Sequence, residues 1–322
     1  MKKEKIMIIG AGLLDVLACP VDKEVFEKTS VSVENIRLST GGDALNEATV
    51  LARLGKSPML VSVVGKDDAG NAVLSHCRKE GISAEYVCSV EDVETSVNIV
   101  MIQPDGSRSF FTNPLSSLRR LAPEHIPERF PEDVGIMCLA SIFVSPCLGA
   151  EQLEIIFKRA KEQGVIVCAD MTKCKNKETV KDICGALSYV DYLFANEEEA
   201  ALVTGKEAAD DMAESFLKCG VRHVIIKLGG RGCYILSKDI REHIPAVPET
   251  RCVDTTGAGD SFAGGFLCAL SEGKDFRECA VFAGACGSAA VESVGATAGI
   301  VSRAQIEERV HFYCGNKGSF VL

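Results

Sequence analysis

Basic residues are in short supply: 35 lysines and arginines stand against 45 aspartates and glutamates, giving a net charge of −10. The deficit argues against non-specific nucleic-acid binding, and any bound phosphate must be met by locally concentrated positive potential. No apolar run reaches the roughly 18 residues of a membrane span, so no membrane partner is expected. No internal repeat, low-complexity tract or linker composition divides the 322 residues. That length lets one large domain bury most of its apolar surface. Cysteine is abundant at 15, yet no two cysteines form a CxxC pair, and Cys138, Cys168, Cys233, Cys268 and Cys286 lie inside apolar runs. The pattern argues against a zinc site or a disulfide framework and predicts reduced, buried thiols in a cytoplasmic protein.

The first 19 residues, with a basic start, an apolar run and a small residue before Cys19, imitate a lipoprotein signal peptide. Asp15 interrupts that run, and Ile6–Ile9 followed by Gly10-Ala11-Gly12 reads better as a buried strand ending in a turn. The third glycine of a dinucleotide-binding fingerprint is missing, so that reading is rejected. Residues 21–40 read as irregular or extended. Ser39 to Asn46 is a glycine-rich turn opening a helix that Gly55 ends, and strand 60–64 and helix 68–80 follow. The β-rich runs 95–102 and 107–111 flank a Pro-Asp-Gly turn and read as a hairpin projecting as a lid or an oligomer contact. From 134 onward, expected strands at 136–140, 165–169, 191–194, 223–228 and 232–236 alternate with expected helices at 150–163, 176–187, 197–204 and 210–219. Such alternation predicts an α/β fold whose mostly parallel sheet has helices on both faces, with ligands beyond the carboxyl ends of the strands. One rim then carries Gly12 to Asp15, Gly41 to Asn46, Asp170, Asn196, Lys227 to Gly232 and Asp260.

The stretch Arg251–Gly273 organises the rest. Thr255-Thr256-Gly257-Ala258-Gly259 leads into Asp260 and then a small-residue apolar helix. Successive N–H groups at a helix start cradle an anion, helped by the positive end of the helix dipole. Asp260 is either a helix N-cap or a base facing that anion, and the spacing leaves both open.

The chain resembles the ribokinase-like, PfkB-type carbohydrate kinases over about residues 5 to 310. The likeness is carried by DTTGAGDSFAGGF (Asp254 to Phe266), by Gly41-Gly42-Asp43-Ala44-Leu45-Asn46 through Gly55, by Asn196-Glu197-Glu198-Glu199, and by the LGGRG turn. It implies a single three-layer αβα domain over residues 1–322, with a small β lid formed by roughly 13–40 and 95–112. It implies ATP-dependent phosphorylation of a hydroxymethyl group on a small sugar of the ribose, fructose or 2-keto-3-deoxygluconate type. The alternative is a nucleoside such as adenosine on the same scaffold. It also implies a homodimer paired through the lid strands.

By the same resemblance Asp260 is the base, expected to be ionised, and the N–H groups of Gly257, Ala258 and Gly259 hold the charge that grows on the transferred phosphoryl. Asp15, Gly41, Gly42, Asp43 and Asn46 meet the acceptor hydroxyls. Asn196 and Glu199 organise Mg²⁺ through water, or only cap the helix that follows. Lys227, Gly229 and Gly232 lie on the nucleotide side, or Lys227 is no more than a solvated strand-end charge; Ala283 and Cys286, in the run Ala283 to Gly287, pack against adenine or serve tight helix packing. Asp254, Thr256 and Gly295 occupy positions where relatives hold a monovalent cation such as K⁺. Asp43 departs from the lysine of the ribokinase branch. Asp170 and Lys173 either meet substrate or phosphate or pair at the surface.

Overall fold

The run Lys5–Ile9 (β1) forms the middle of the main sheet, where Ile6 and Ile8 face one apolar core and Met7 and Ile9 the other. That alternation is the period-2 geometry of a strand covered on both faces. The computed structural model describes residues 4–104 and 107–315. Its further strands are β2 (Leu13–Cys19), β3 (Asn35–Gly41), β4 (Met59–Gly65), β5 (Ser83–Val90), β6 (Val97–Ile102) and β7 (Arg108–Thr112). Then come β8 (Val134–Ile142), β9 (Ile166–Met171), β10 (Tyr192–Asn196), β11 (His223–Lys227), β12 (Cys233–Ser237) and β13 (Arg241–Ile244). The helices are α1 (Asp43–Arg53), α2 (Asp68–Glu80), α3 (Ala150–Glu162), α4 (Cys184–Leu187), α5 (Glu197–Thr204), α6 (Ala209–Lys218), α7 (Ala258–Ser271), α8 (Phe276–Ala290) and α9 (Arg303–Gly315).

The main sheet runs β13-β12-β11-β10-β9-β8-β1-β4-β5. From β5 to β11 all pairs are parallel, while β12 and β13 close the edge antiparallel. One core packs α1, α7 and α8 on the sheet, and the other packs α3, α5 and α6. Small residues bring α7 close to both neighbours. A Cβ on Gly264 would lie 3.0 Å from the Val50 side chain on α1, and one on Gly265 would lie 2.6 Å from Cys286 Sγ on α8.

The second sheet, β3-β2-β6-β7, is the small lid-like layer. Its hairpin β6–β7 matches the expectation, although Asp105 and Gly106 of the turn lie outside the described residues. Strands β2 and β3 pair along their whole length, although residues 21–40, which include most of β3, read only as irregular or extended. Ile36 and Leu38 on β3 are exposed, so no inward-facing pattern marked that strand.

Two expectations fail. The helix placed at 176–187 is only the single turn α4. Thr179 donates both its N–H and its hydroxyl to Asp182 at 2.7 Å, the Asn176 N–H bonds Glu178, and Lys177 has φ +62°. Such local side-chain bonds compete with helix formation. The thiols are also not all reduced: Cys184 and Cys219 form a disulfide with Cα atoms 5.0 Å apart. The start of α4 and the end of α6 meet there, a proximity that 35 residues of separation do not reveal. No helix among the described residues is long and apolar enough to cross a membrane.

Glu272, just past α7, joins three elements. It pairs with Lys56 at 2.8 Å and with Arg303 on α9, and the Arg303 bond, which outweighs burial, holds its carboxyl down at about 2. Because the folded value lies below the unfolded one, this stabilisation is complete above pH 4.5 and fades as pH falls toward about 2. Glu272→Gln is expected to cost about 1–2 kcal/mol at neutral pH, less than for a fully buried pair. Chemical denaturation at pH 7 and pH 3 checks this, since the gap between variant and parent must narrow at the lower pH.

Candidate active site

A cleft of about 1210 Å³ opens along the carboxyl ends of the main-sheet strands. Asp170 at the end of β9, Asn196 ending β10, Lys227 ending β11, and Asp43 and Asp260 at the starts of α1 and α7 all line it. This is where parallel sheets with crossover helices bind ligands.

Helix α7 begins because the chain reverses sharply at Gly257, which has φ +68° and serves as its N-cap. A Cβ there would lie 2.2 Å from the Ala296 carbonyl oxygen. The Ala258 N–H reaches the Thr255 carbonyl at 3.3 Å, while those of Gly259 and Asp260 have no carbonyl a turn earlier within the helix, which leaves donors at the end facing the cleft. Asp254 braces the approach. Its carboxylate accepts the N–H of Thr256 at 2.7 Å and of Gly295 at 2.8 Å, and it pairs with Arg108 on β7.

Asp260 accepts a hydrogen bond from Asn46 Nδ2 at 2.7 Å across a sequence separation of 214. Its carboxyl is pushed up to about 7 by burial, with Asp43 and Asp170 adding to the rise and Asn46 and Lys227 opposing it. At about 7 the carboxyl is only partly ionised at neutral pH, less than the expectation of an ionised Asp260, because the helix end and Lys227 do not fully offset burial among carboxylates. Asp43 accepts the N–H groups of Ala11 and Ala44 at 3.0 and 2.7 Å, tying the β1–β2 turn to α1. Burial raises its carboxyl, although Ser141 and those two amides oppose the shift.

Lys227 is not a solvated strand-end charge. Its Nζ lies 2.8 and 2.6 Å from the two Asp170 oxygens, and a Cβ on Gly259 would sit 3.4 Å from it. Burial alone would lower the lysine, but Asp170, Glu199 and Asp260 reverse that and hold it charged. Lys173, by contrast, pairs with Glu198 at the surface.

Asn196 and Glu199 form a reciprocal capping box on α5, each side chain bonding the other's N–H at 2.8 Å. Both still line the cleft. Burial and Asp170 push the Glu199 carboxyl up to about 7 against the pull of Lys227. Gly229 and Gly232 sit in the β11–β12 turn on the same wall. Asp15 is brought near the group indirectly. It lies on β2, accepts from Asn98 Nδ2 at 3.0 Å, and fills the space where a Cβ on Gly41 would go, 2.1 Å from Asp15 Oδ2. Burial raises its carboxyl despite the Asn98 bond. Gly42, with φ +96°, is the N-cap of α1.

Two groups of expected residues are placed differently. Ala283 and Cys286 are fully buried against Gly265 of α7; Gly284 and Gly287, their neighbours on α8, line the cleft together with Ala280, Val281 and Ser288. Asp254, Thr256 and Gly295 do meet, but through N–H groups donated to a carboxylate that already holds a guanidinium. A carboxylate already paired with a guanidinium does not fit a second, monovalent cation.

Two residues of the site escaped the sequence reading altogether. Arg108 sits in a lid strand that carries no site motif. Glu47, next to Asn46, is fully buried; burial, with Asp170, Asp260 and Asp43 nearby, raises its carboxyl well above its ordinary value, opposed by a bond to the Cys138 thiol.

The profile of the pfkB family carbohydrate kinases matches residues 3–303. An Arabidopsis thaliana ribokinase is 27% identical, over 95% of this chain and 81% of its own length. A probable fructokinase-5 from the same plant is also 27% identical, over 80% of this chain and 83% of its own. The solved structure of Arabidopsis thaliana ribokinase complexed with ribose and ATP superposes with a TM-score of 0.78 at 25% identity, covering 96% of this chain and 99% of that one.

Proposed function

The chain belongs to the pfkB family of carbohydrate kinases, and from that premise we propose that it transfers the γ-phosphoryl group of ATP to a hydroxymethyl group of a small sugar. The observation that carries the reading is the Asp260 carboxylate at the donor-rich start of α7, oriented by Asn46 and flanked by Lys227. Phosphoryl transfer asks a protein chiefly for alignment and charge stabilisation, plus a proton acceptor. Asp260 takes the proton of the attacking hydroxyl. The N–H groups of Gly257, Ala258 and Gly259 meet the charge on the transferred phosphoryl, and Lys227 adds a positive charge beside them. Mg²⁺ enters with ATP as part of that substrate. Glu199 and Asn196 face the cleft where ordered waters of such an ion would be held.

A panel of ribose, fructose, 2-keto-3-deoxygluconate and adenosine with ATP and Mg²⁺ tests the reading. Phosphorylation of one sugar supports it. Turnover of adenosine alone shifts the assignment to a nucleoside kinase, and no turnover of any acceptor counts against it. Asp43 lines the cleft at the start of α1 and, with Asn46 bonded to Asp260 and Asp15 against Gly41, serves the acceptor; Gly229, Gly232 and the exposed side of α8 serve the nucleotide. A Cβ on Gly284 would meet nothing within 4 Å. Gly284→Leu is therefore expected to raise the KM for ATP about tenfold with kcat and melting temperature nearly unchanged, the pattern of lost uniform binding. Steady-state kinetics with ATP as the varied substrate checks this.

In this reading residues 1–322 act as one domain, with the four-stranded sheet as lid. Leu38, Val16, Ile99 and Phe111 lie in one cross-strand row, with Ile36 on the same face, and Leu38 and Ile36 are 71% and 68% exposed. An apolar sheet face of this kind suits pairing with a second copy. Leu38→Asp is expected to turn a dimer into a monomer by light scattering, and a parent protein that is already monomeric would refute the pairing.

A further inference from the structure

The positive charge behind the anion-binding turn is already supplied by the chain. Asp254 and Arg108, 146 residues apart, form an ion pair whose side chains are 2% and 16% exposed. The same Asp254 oxygen that meets the guanidinium accepts the Thr256 N–H, and the other accepts the Gly295 N–H. Thr256 precedes Gly257, and Gly295 precedes Ala296, whose carbonyl packs against Gly257. Asp254 is thus the node that fixes the turn carrying Gly257, Ala258 and Gly259. A buried carboxylate at such a node needs a compensating charge. Arg108 comes from β7, the outer strand of the four-stranded sheet.

We propose that the Arg108 guanidinium is the built-in cation of this turn: it takes the place of a dissociable monovalent ion and makes docking of the lid and completion of the anion-binding turn a single event. The inference rests on the kinase reading for its catalytic consequence and on the ion pair alone for its structural one. A free K⁺ ion at Asp254 would either displace the guanidinium or lie against a like charge and inward-pointing N–H groups. Arg108 acts through the turn and so is a positioning residue.

The test compares KCl with tetramethylammonium chloride at equal ionic strength. The parent protein is expected to melt at the same temperature in both and, with whichever acceptor it turns over, to keep its rate within about twofold. Arg108→Met is expected to lose about tenfold or more in kcat with a smaller change in KM. Its melting temperature should become K⁺-dependent, and added guanidinium ion should restore part of its rate. Arg108→Lys keeps the charge and covers the case in which the methionine variant does not fold; it should retain more activity than any neutral substitution. K⁺-specific stabilisation of the parent, or an anomalous Rb⁺ peak beside Asp254 in soaked crystals of it, overturns the proposal. So does an Arg108→Met protein with parental kinetics and melting. If no acceptor is phosphorylated the kinase reading fails, while the melting and Rb⁺ results still decide the role of Arg108.

Discussion

Asp260→Asn is expected to lower kcat by about 10³-fold while the protein stays folded. The asparagine keeps the size of the side chain and can still meet Asn46 after an amide flip, so α1 and α7 remain joined. What it loses is the ability to take a proton from the acceptor hydroxyl. The parent enzyme should show the matching pH dependence. With the carboxyl near 7 in the free protein, the base is present above that value, and kcat/KM should fall about tenfold per unit as pH drops below it. The variant should lack that limb. Retention of more than a tenth of parental kcat, or an unchanged acid limb, would remove Asp260 from the role of base. Raising Asp260 also has a stability consequence of definite sign. A carboxyl whose folded value lies above its unfolded one favours unfolding once pH exceeds the unfolded value, so Asp260→Asn should, if anything, stabilise the fold at pH 8. A melting curve there separates loss of chemistry from loss of structure.

Gly257→Ala is the second large effect. The position has φ +68°, and an added methyl would stand 2.2 Å from a backbone carbonyl oxygen that cannot swing away as a side chain could. Either the 254–257 turn or the 295–296 segment must move, and both are fastened to Asp254. Displacing the N–H cradle should cost about 10²–10³-fold in kcat, the range for loss of an anion-stabilising donor. The strained backbone should lower stability by a further 1–3 kcal/mol or so. Kinetics and melting measured together check it: an active, parent-like variant would mean that the cradle does not depend on this turn.

Much of the layout of the cleft could be read from the chain because it is written locally. The Asp254 to Phe266 segment carries turn, helix start and acid in consecutive positions, and strand ends in a parallel sheet gather on one rim by topology. What could not be read depends on contacts distant in sequence. Nothing near Asn46 announces that it will hold Asp260, and nothing near Arg108 announces Asp254. The misplacement of Ala283 and Cys286 has another origin. Helix α8 is made of small and apolar residues on nearly every side, so no stripe orients it, and a one-residue error turns the predicted face by about 100°. Asp260 is less fully ionised than its place at a helix start implies, because the helix end is visible in the sequence, whereas burial beside Asp43 and Asp170 appears only once the chain is folded.

The position of β1 at the centre of the main sheet, with β4 on one side and β8 on the other, bears on how the protein is made. During synthesis the N-terminal strand emerges first but cannot complete its pairing until Val134 to Ile142 has left the ribosome. Helix α1 waits longer still for α7 to cover it. The half-made chain therefore presents apolar faces that only its last third can bury, a high-contact-order arrangement that slows folding and invites association of incomplete chains. Chains ending before Ala258 should accordingly collect in the insoluble fraction, whereas chains that extend through α9 should approach the solubility of the whole protein.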